Sequence, residues 1–391
     1  MHIGYTAEQE ALRGELRTYY ADLLTDDVRD ALGAEDGTGP VHRRIVRQMG
    51  TDGWLAVGWP TEYGGRGMSA VEQFIVFDES VALGAPIPML TINTVGPTIM
   101  QYGTDEQKDF FLPRIAGGEL TFCIGYSEPD AGTDLASLTT RAVRDGETYV
   151  INGQKTWTSL AKDADYIWLA ARTDPDVPKH KGITIFAVDT TLDGFSHTPI
   201  WLLGGGHTNA TYYNDIRVPD WARIGEVNGG WKLITAQLNH ERVGLAPAGN
   251  IDGPLRRVVD WARQTTLGDG RRVIDQEWVR LALAEVYASN EALKMYNWKV
   301  AAALEDTELK PADASAMKVF GTELKVKSFQ ALMEVLGQRS YLVKGTPEAV
   351  LAGELERAYR GAPVGTFGGG VNEVQRDIIA TAGLGLPRSP R

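Results

Sequence analysis

The sequence predicts a mostly helical α+β protein, in which two helical regions flank a small antiparallel β domain. Apolar residues recur at helical spacing through residue 118, as on the buried face of an amphipathic helix. Residues 119–226 instead contain short β-rich runs separated by Asp-Gly, Asn-Gly and Lys-Gly turns, which is typical of antiparallel strands. Helical spacing returns after Gly229-Gly230. We therefore expect three domains, at residues 1–118, 119–226 and 227–391.

The first helical region begins at Thr6, which precedes acidic residues and is a typical N-cap. Leu12 and Leu16 then continue the pattern at helical spacing. Further helices are predicted at residues 41–49, 69–83, 90–102 and 105–116. The intervening segments 36–40 and 58–67 are rich in Gly and Pro and are predicted as loops.

The central strands are predicted where β-branched and aromatic residues are dense, at residues 148–151, 166–170 and 183–188. C-terminal helical patterns cover residues 231–264, 276–305, 312–339 and 347–361, with a short last helix from Asn372. The sequence has no alternating βαβ pattern and no GxGxxG motif after a strand. A Rossmann nucleotide-binding domain is therefore not expected.

Composition excludes several classes of protein. The chain has 391 residues and a formal net charge of -12, which argues against nucleic-acid binding because that requires clustered Lys and Arg. Its only cysteine, Cys123, lies in an apolar run and is predicted to be a buried, inert thiol. No His, Cys or Asp grouping has metal-ligand spacing. Without a secretory signal or an apolar run of roughly 20 residues, we expect a cytoplasmic protein that does not insert into membranes.

Four segments in a fixed order carry a family resemblance. They are residues 103–108 (GTDEQK), 126–134 (YSEPDAGTD), 152–159 (NGQKTWTS) and 370–376 (GVNEVQR). Together they resemble the signatures of the acyl-CoA dehydrogenases, which use bound FAD to oxidise the Cα–Cβ bond of an acyl-CoA thioester. The resemblance implies an N-terminal helical domain, a central antiparallel β-barrel and a C-terminal four-helix bundle, with FAD between barrel and bundle.

The resemblance also assigns residues to the flavin and to CoA. Tyr126 and Ser127 are expected at the edge of the isoalloxazine ring, Trp157 against its face, and Ser159 in contact with it. These residue types suit the task, because an aromatic wall shields the ring and small hydroxyl groups reach its N and O atoms. Thr133 is expected near the pantetheine or phosphate part of CoA. The alternatives are a core position for Trp157, strand-end positions for the serines and a simple turn at Thr133.

The catalytic base is expected at an unusual position. Many family members carry a glutamate where this chain has Gly369, and glycine cannot act as a base. A smaller group carries it on the first helix of the bundle, at the position of Glu241, and the following Arg242 matches an arginine that positions that end of the helix. The resemblance places the Gly369 N–H as a donor to the thioester carbonyl, beside a ribityl hydroxyl of the flavin. The alternative for Glu241 is an ordinary solvated helix residue.

Departures from the family pattern predict a heteromer. Homotetrameric relatives hold part of each FAD with a neighbouring subunit, and Arg263 and Gln276 match residues of that element, although insertion of residues 269–272 stretches their spacing. A second element, at residues 334–340, lacks a glutamine and two glycines. Residues 207–215 and 366–370 resemble actinobacterial subunits that form α2β2 heterotetramers and act on steroid side-chain CoA thioesters.

We therefore expect the base-carrying subunit of such a heteromer, with a paralogous partner subunit, an acyl-CoA substrate and an electron-transferring flavoprotein as acceptor. Four alternatives remain at this stage. They are a short/branched-chain acyl-CoA dehydrogenase, a flavin oxidase or monooxygenase, a non-catalytic subunit that stabilises an active partner, and a helical scaffold without flavin.

Overall fold

The computed structural model describes residues 4–35, 37–306 and 309–387, apart from the side chains of residues 238–243, 245 and 304–306. Six α-helices come first in the chain, followed by eight strands and then six further α-helices in these described ranges. Three clusters of buried apolar residues form the core: one joins the N-terminal helices to the sheet, one lies within the sheet, and one lies among the C-terminal helices.

Three of the six described N-terminal helices begin at a capping box, including the one predicted to start at Thr6. The six helices are α1 (Ala7–Leu23), α2 (Asp26–Ala34), α3 (Pro40–Thr51), α4 (Ala70–Leu83), α5 (Gly96–Tyr102) and α6 (Asp105–Ala116). Thr6, Ser69 and Thr104 each form a complete capping box with the residue three positions on, which satisfies two backbone donors at each helix start. The pattern at residues 90–102 is a π-helical turn, Thr91–Val95, that continues into α5.

The strands form one sheet. They are β1 (Phe122–Gly125), β2 (Arg141–Asp145), β3 (Thr148–Lys155), β4 (Tyr166–Arg172), β5 (Ile183–Asp189), β6 (Phe195–Trp201), β7 (His207–Pro219) and β8 (Arg223–Ile224). The order is β6-β7-β3-β2-β4-β5-β8, and β1 pairs with β4. The three predicted strands are confirmed as parts of β3, β4 and β5.

Two features differ from the antiparallel barrel that the sequence predicts. β1 runs parallel to β4, because the β2–β3 hairpin lies between them in the chain and returns the backbone in the same direction. β2 meets β4 through one residue pair, Arg141 and Arg172, and among the described strands β6 and β8 are not paired with each other. The strand pairing therefore shows a sheet, and a closed barrel is not shown.

The C-terminal helices are α7 (Gly230–Leu245), α8 (Gly249–Gln264), α9 (Glu277–Asp306), α10 (Pro311–Leu336), α11 (Glu354–Gly361) and α12 (Asn372–Ile378). The long α10 packs against α7, α8 and α9. The prediction of one helix over residues 231–264 is wrong, because Pro247 disfavours helical geometry at Ala246, which has φ -138° and ψ 58°. The helix predicted at 347–361 begins only at Glu354, after Leu351 and Ala352 adopt left-handed backbone angles.

The N-terminal and C-terminal helices meet where α4 crosses the start of α8. The Gly249 N–H donates a 2.7 Å hydrogen bond to Asp78 Oδ1, and a Cβ at position 249 would collide with the backbone oxygen of Asp78. Asp78 is buried, and this burial raises the pKa of its carboxyl group to about 6 in spite of the hydrogen bond. The folded chain therefore holds this acid more easily in its protonated form.

We expect Asp78→Asn to stabilise the fold at pH 7 and to change little at pH 4. Because the folded pKa lies above the ordinary value of 3.8, the contribution of Asp78 is fully present below that value and is lost as the pH rises through about 6. The loss is about 3 kcal/mol, and the asparagine side chain avoids this loss while keeping an oxygen for the Gly249 N–H. Thermal unfolding at both pH values measures the effect, with exposed Glu15→Gln as the control. Equal shifts at both pH values would contradict the assignment.

Candidate active site

A hydrogen-bonded cluster of three side chains joins the end of β1 to α7. The Tyr126 hydroxyl donates to the side-chain oxygen of Gln237, and Trp168 Nε1 on β4 contacts Tyr126 Oη at 3.1 Å and Gln237 Oε1 at 3.0 Å. All three side chains are buried. The cluster fixes the segment that starts at Tyr126 against the helix that contains residue 241, four positions after Gln237.

A buried ion pair holds the same segment against the end of β3. Lys155 Nζ donates to Glu128 Oε1 at 2.8 Å and to the Tyr126 carbonyl at 3.0 Å. The Glu128 carboxylate also accepts the N–H groups of Thr139 and Thr140, at 2.7 and 2.8 Å. Burial alone would raise the pKa of Glu128, but the Lys155 charge and these donors outweigh it and lower the pKa to about 2. The pair is therefore ionised at neutral pH.

Trp157 lies two residues after Lys155 and is exposed. Its φ of 59° lies in the left-handed region, which is costly for a bulky residue and is kept only where neighbouring contacts impose it. Those contacts are on either side: Thr156 N–H donates to the Ser127 carbonyl at 2.8 Å, and Thr158 exchanges hydrogen bonds with Asn209 on β7. Trp157 is 60% exposed, so the alternative of a core position for this residue does not hold.

Ser159 lies two residues further on, with its hydroxyl 3.3 Å from the hydroxyl of Thr208. The backbone of Ser127 thus lies next to Thr156, and Ser159 lies next to β7, on either side of Trp157 in these contacts. Two polar atoms near them, Gln237 Nε2 and Asn209 Oδ1, are buried and have no hydrogen-bond partner among the described residues. Thr133 lies apart from this group, exposed in the loop after the Glu128–Ala131 bridge.

Gly369 lies in the turn between α11 and α12, with φ of 66°. Within the described part of the chain its N–H donates no hydrogen bond, and a donor of this kind is free to bind an oxygen atom of a ligand. Glu241 and Arg242 lie in α7, and their side chains are outside the described part of the structure. The nearby Gly244 approaches Met89 so closely that a Cβ on it would lie 2.7 Å from the Met89 sulfur.

Arg263 and Gln276 flank the connection between α8 and α9. Arg263 is exposed and lies 3.8 Å from Asp260 in an i,i+3 pair. Gln276 Oε1 accepts a 3.1 Å hydrogen bond from the indole of Trp278. Neither residue contacts the Trp157 segment of the same chain in the ranges that the structure describes.

Sequence reasoning missed the Glu128–Lys155 pair, Gln237 and Asn209. One signal was available for the pair, since the period-two pattern of buried Tyr149 and Ile151 reaches Lys155, and a buried lysine requires a partner. No comparable local signal marks Gln237, whose neighbours come from distant parts of the chain.

Comparison with known proteins agrees with this architecture. Family models for the N-terminal, middle and C-terminal domains of acyl-CoA dehydrogenases match residues 6–119, 123–215 and 228–384. The chain therefore belongs to the acyl-CoA dehydrogenase family of enzymes, whose members are FAD-binding flavoproteins.

Several relatives are similar over their whole length. The chain is 56% identical to acyl-CoA dehydrogenase FadE26 of Mycobacterium tuberculosis (strain ATCC 25618 / H37Rv) over 400 residues, covering 100% of each. It is 57% identical to a chain in the crystal structure of the ChsE4-ChsE5 complex from Mycobacterium tuberculosis, with a TM-score of 0.93 and full coverage of both. A chain of the Tcur3481-Tcur3483 steroid ACAD is 52% identical, with a TM-score of 0.94 and full coverage of both. The sequence-based recognition of the family is thus confirmed.

The described residues contain neither a candidate metal site nor a helix that could span a membrane. No group of three or more His, Cys, Asp or Glu side chains there could hold a metal ion. Every helix in the same ranges is too short or too polar to traverse a bilayer.

Proposed function

We propose that this chain is the base-carrying subunit of a heteromeric acyl-CoA dehydrogenase that desaturates the Cα–Cβ bond of a bulky, steroid side-chain CoA thioester. The observation that carries the dehydrogenase assignment is the exposed Trp157, which the Thr156–Ser127 and Thr158–Asn209 hydrogen bonds hold in a left-handed backbone. An exposed indole in a backbone conformation that its neighbours impose suits stacking against a flat partner.

The residues present fit a flavin. Trp157 offers an indole face, and Ser127 and Ser159 offer short hydroxyl groups next to it. Asn209 and Gln237 provide a buried acceptor and a buried donor that lack partners among the described residues. When bound, FAD supplies the hydride acceptor for the Cβ–H bond. Arg263 and Gln276, which are remote from Trp157 within one chain, would then serve FAD in a neighbouring subunit.

The remaining chemistry belongs to two positions in the chain. The Glu241 carboxylate takes the Cα proton, so that loss of this proton and of the Cβ hydride leaves the double bond. The Gly369 N–H donates to the thioester oxygen, on which negative charge develops as the proton leaves. Thr133, in its exposed loop, and Arg242, on α7, are assigned to substrate binding. The residue roles rest on the family resemblance and on the free Gly369 donor.

A cavity supports a bulky acyl group. It has a volume of about 630 Å³, within the range of roughly 300–1,000 Å³ that is usual for small-molecule sites. Part of its wall is apolar, from Ile87, Met89, Leu90, Phe122 and Leu160, and the rest carries charged residues that include Arg43, Arg44, Arg47, Glu119 and Asp163. Leu160 directly follows Ser159, and Met89 is the residue that packs against Gly244 on α7. The cavity is therefore bounded by the flavin-facing segment on one side and by a neighbour of the Glu241 helix on the other.

The heteromer is supported by relatives. The similar chains in the ChsE4-ChsE5 and Tcur3481-Tcur3483 structures come from assemblies of two named proteins, and the second of these is named a steroid enzyme. We extend both properties to this chain, with a paralogous partner subunit and an electron-transferring flavoprotein as the electron acceptor. A cytoplasmic location stays a prediction.

An anaerobic titration of the chain co-purified with a paralogous partner tests the proposal. Steroid side-chain and straight-chain acyl-CoA thioesters are added in turn, and the visible absorbance of oxidised flavin is recorded. Bleaching by the steroid thioester supports both the reaction and the substrate class. Bleaching by straight-chain thioesters alone would support the dehydrogenase reaction but overturn the steroid substrate. The chain would then belong to a short/branched-chain acyl-CoA dehydrogenase. A complex without flavin absorbance would overturn the proposed function.

We expect Leu90→Trp to discriminate against the bulky substrate. The indole would occupy part of the cavity, so KM for the steroid thioester should rise at least about tenfold, equivalent to about 1.4 kcal/mol of binding. Turnover of a four-carbon thioester should stay within about twofold, because so short an acyl group needs little of the cavity volume. Steady-state kinetics measure both, and Val143→Trp on the exposed part of β2 is the control. An equal loss with both substrates would contradict this use of the cavity.

A further inference from the structure

A buried lysine on α10 contacts the turn that carries Gly369. Lys318 is fully buried, and its ammonium group donates to the carbonyl oxygens of Thr366 and Gly370 at 3.0 and 2.8 Å. It also donates to Asn372 Oδ1 at 2.6 Å. These acceptors lie on both sides of Gly369, so a single side chain spans the whole turn.

A second set of contacts links α10 to Gly369 through Gln375 on α12. Ser315 Oγ donates to Gln375 Oε1 at 2.7 Å, and Gln375 Nε2 contacts the Gly369 carbonyl oxygen at 3.4 Å. The far end of the turn is held as well, because Asn372 Nδ2 contacts Thr322 Oγ1 at 3.2 Å. The Gly369 carbonyl therefore faces Gln375 on α12, which Ser315 of α10 orients.

The turn has little intrinsic rigidity without these contacts. Gly369 and Gly370 both have positive φ, at 66° and 90°, and glycine populates many other backbone conformations at little cost. An amide that stabilises an oxyanion must nevertheless stay about 3 Å from it. A buried ammonium group has the opposite property, because the loss of an acceptor leaves a desolvated N–H donor without a partner. Lys318 therefore penalises any conformation of the turn that removes Thr366 or Gly370 from it.

We propose that Lys318 is a positioning residue for catalysis: it fixes the 366–372 turn so that the Gly369 N–H meets the thioester oxygen as negative charge develops. This inference rests on the proposed function, because Gly369 matters only if a thioester enolate is formed. Lys318 acts through the backbone and does not touch the substrate. The alternative is that Lys318 only anchors α12, with no effect specific to the enolate.

Two CoA ligands separate these possibilities. A 3-thiaacyl-CoA binds as its enolate and gives a long-wavelength absorption band with oxidised flavin, whereas an S-alkyl-CoA thioether has no carbonyl and forms no oxyanion. In the flavin-loaded complex, Lys318→Met should weaken 3-thiaacyl-CoA at least about tenfold and change thioether affinity by less than about threefold. Lys299→Met, an exposed lysine that pairs with Asp313 between α9 and α10, is the matched control.

Ser315→Ala is a second variant, needed in case Lys318→Met does not fold. It removes only the hydroxyl that orients Gln375. It should therefore weaken the enolate ligand selectively but less, by about threefold. Selective loss of the enolate ligand in either variant supports the proposal. Equal losses for both ligands, or no loss in a folded variant, would overturn it. If the unmodified complex is not bleached by any acyl-CoA, the proposed function fails instead, and that result is seen before any variant is made.

Discussion

Replacement of Glu241 by Gln is expected to abolish flavin bleaching by acyl-CoA. Gln has nearly the same shape but cannot accept the Cα proton, and general-base catalysis usually contributes about 10²- to 10⁴-fold to the rate. No carboxylate at the other family position can compensate, because that position is Gly369. Stopped-flow absorbance under anaerobic conditions should show a loss of at least about 10³-fold, with flavin content and thioester affinity retained.

Glu226→Gln, an exposed residue before α7, controls for the change of charge and should bleach at the normal rate. A Glu241→Gln complex that turns over within about threefold of the unmodified rate would sink the assignment of the base. It would favour the reading of this chain as a stabilising subunit whose partner carries out the reaction. A complex that loses its flavin would instead show that position 241 is needed for folding.

Local patterns predicted much of the fold. Thr6, Ser69 and Thr104 each start a helix because the capping box involves residues only three positions apart. The same locality explains the errors. Pro247 is visible in the sequence, but the apolar spacing continues across it and suggested a single helix. Closure of the sheet would require its end strands β6 and β8 to pair, and whether they do depends on tertiary packing that local patterns do not reveal.

The candidate site was likewise predicted only in part from local sequence patterns. Trp157 and the two serines were selected from their motifs, and a backbone hydrogen bond connects their segments. The side chains that hold the site in place were not found, because their contacts join positions far apart in the chain. Tyr126 and Gln237 are separated by 111 residues, and Lys318 is separated from Gly370, next to Gly369, by 52. Helical and strand periodicity carry no information about such pairs. The left-handed backbone at Trp157 is likewise imposed by its neighbours, since tryptophan does not favour it.

Lys155→Met is expected to remove FAD from the protein and to destabilise the fold. The substitution keeps the length of the side chain but leaves the Glu128 carboxylate buried without its cation, which typically costs about 3–5 kcal/mol. It also removes the donor to the Tyr126 carbonyl, so the segments that carry Ser127 and Trp157 keep only the Thr156–Ser127 backbone hydrogen bond between them. We expect flavin content below about a tenth of normal, because loss of even ~1.4 kcal/mol of binding is tenfold in affinity.

The double variant Lys155→Met/Glu128→Gln distinguishes an unpaired charge from lost packing. If the buried charge causes most of the damage, the double variant should unfold at a higher temperature than Lys155→Met alone, while flavin binding stays weak because the link to Tyr126 is still missing. Lys179→Met, which breaks the half-exposed pair with Asp134, should change neither property appreciably. Normal flavin content in Lys155→Met would show that the pair supports the sheet without positioning Trp157. A double variant less stable than both single variants would show that the pair itself, rather than one uncompensated charge, stabilises this end of β3.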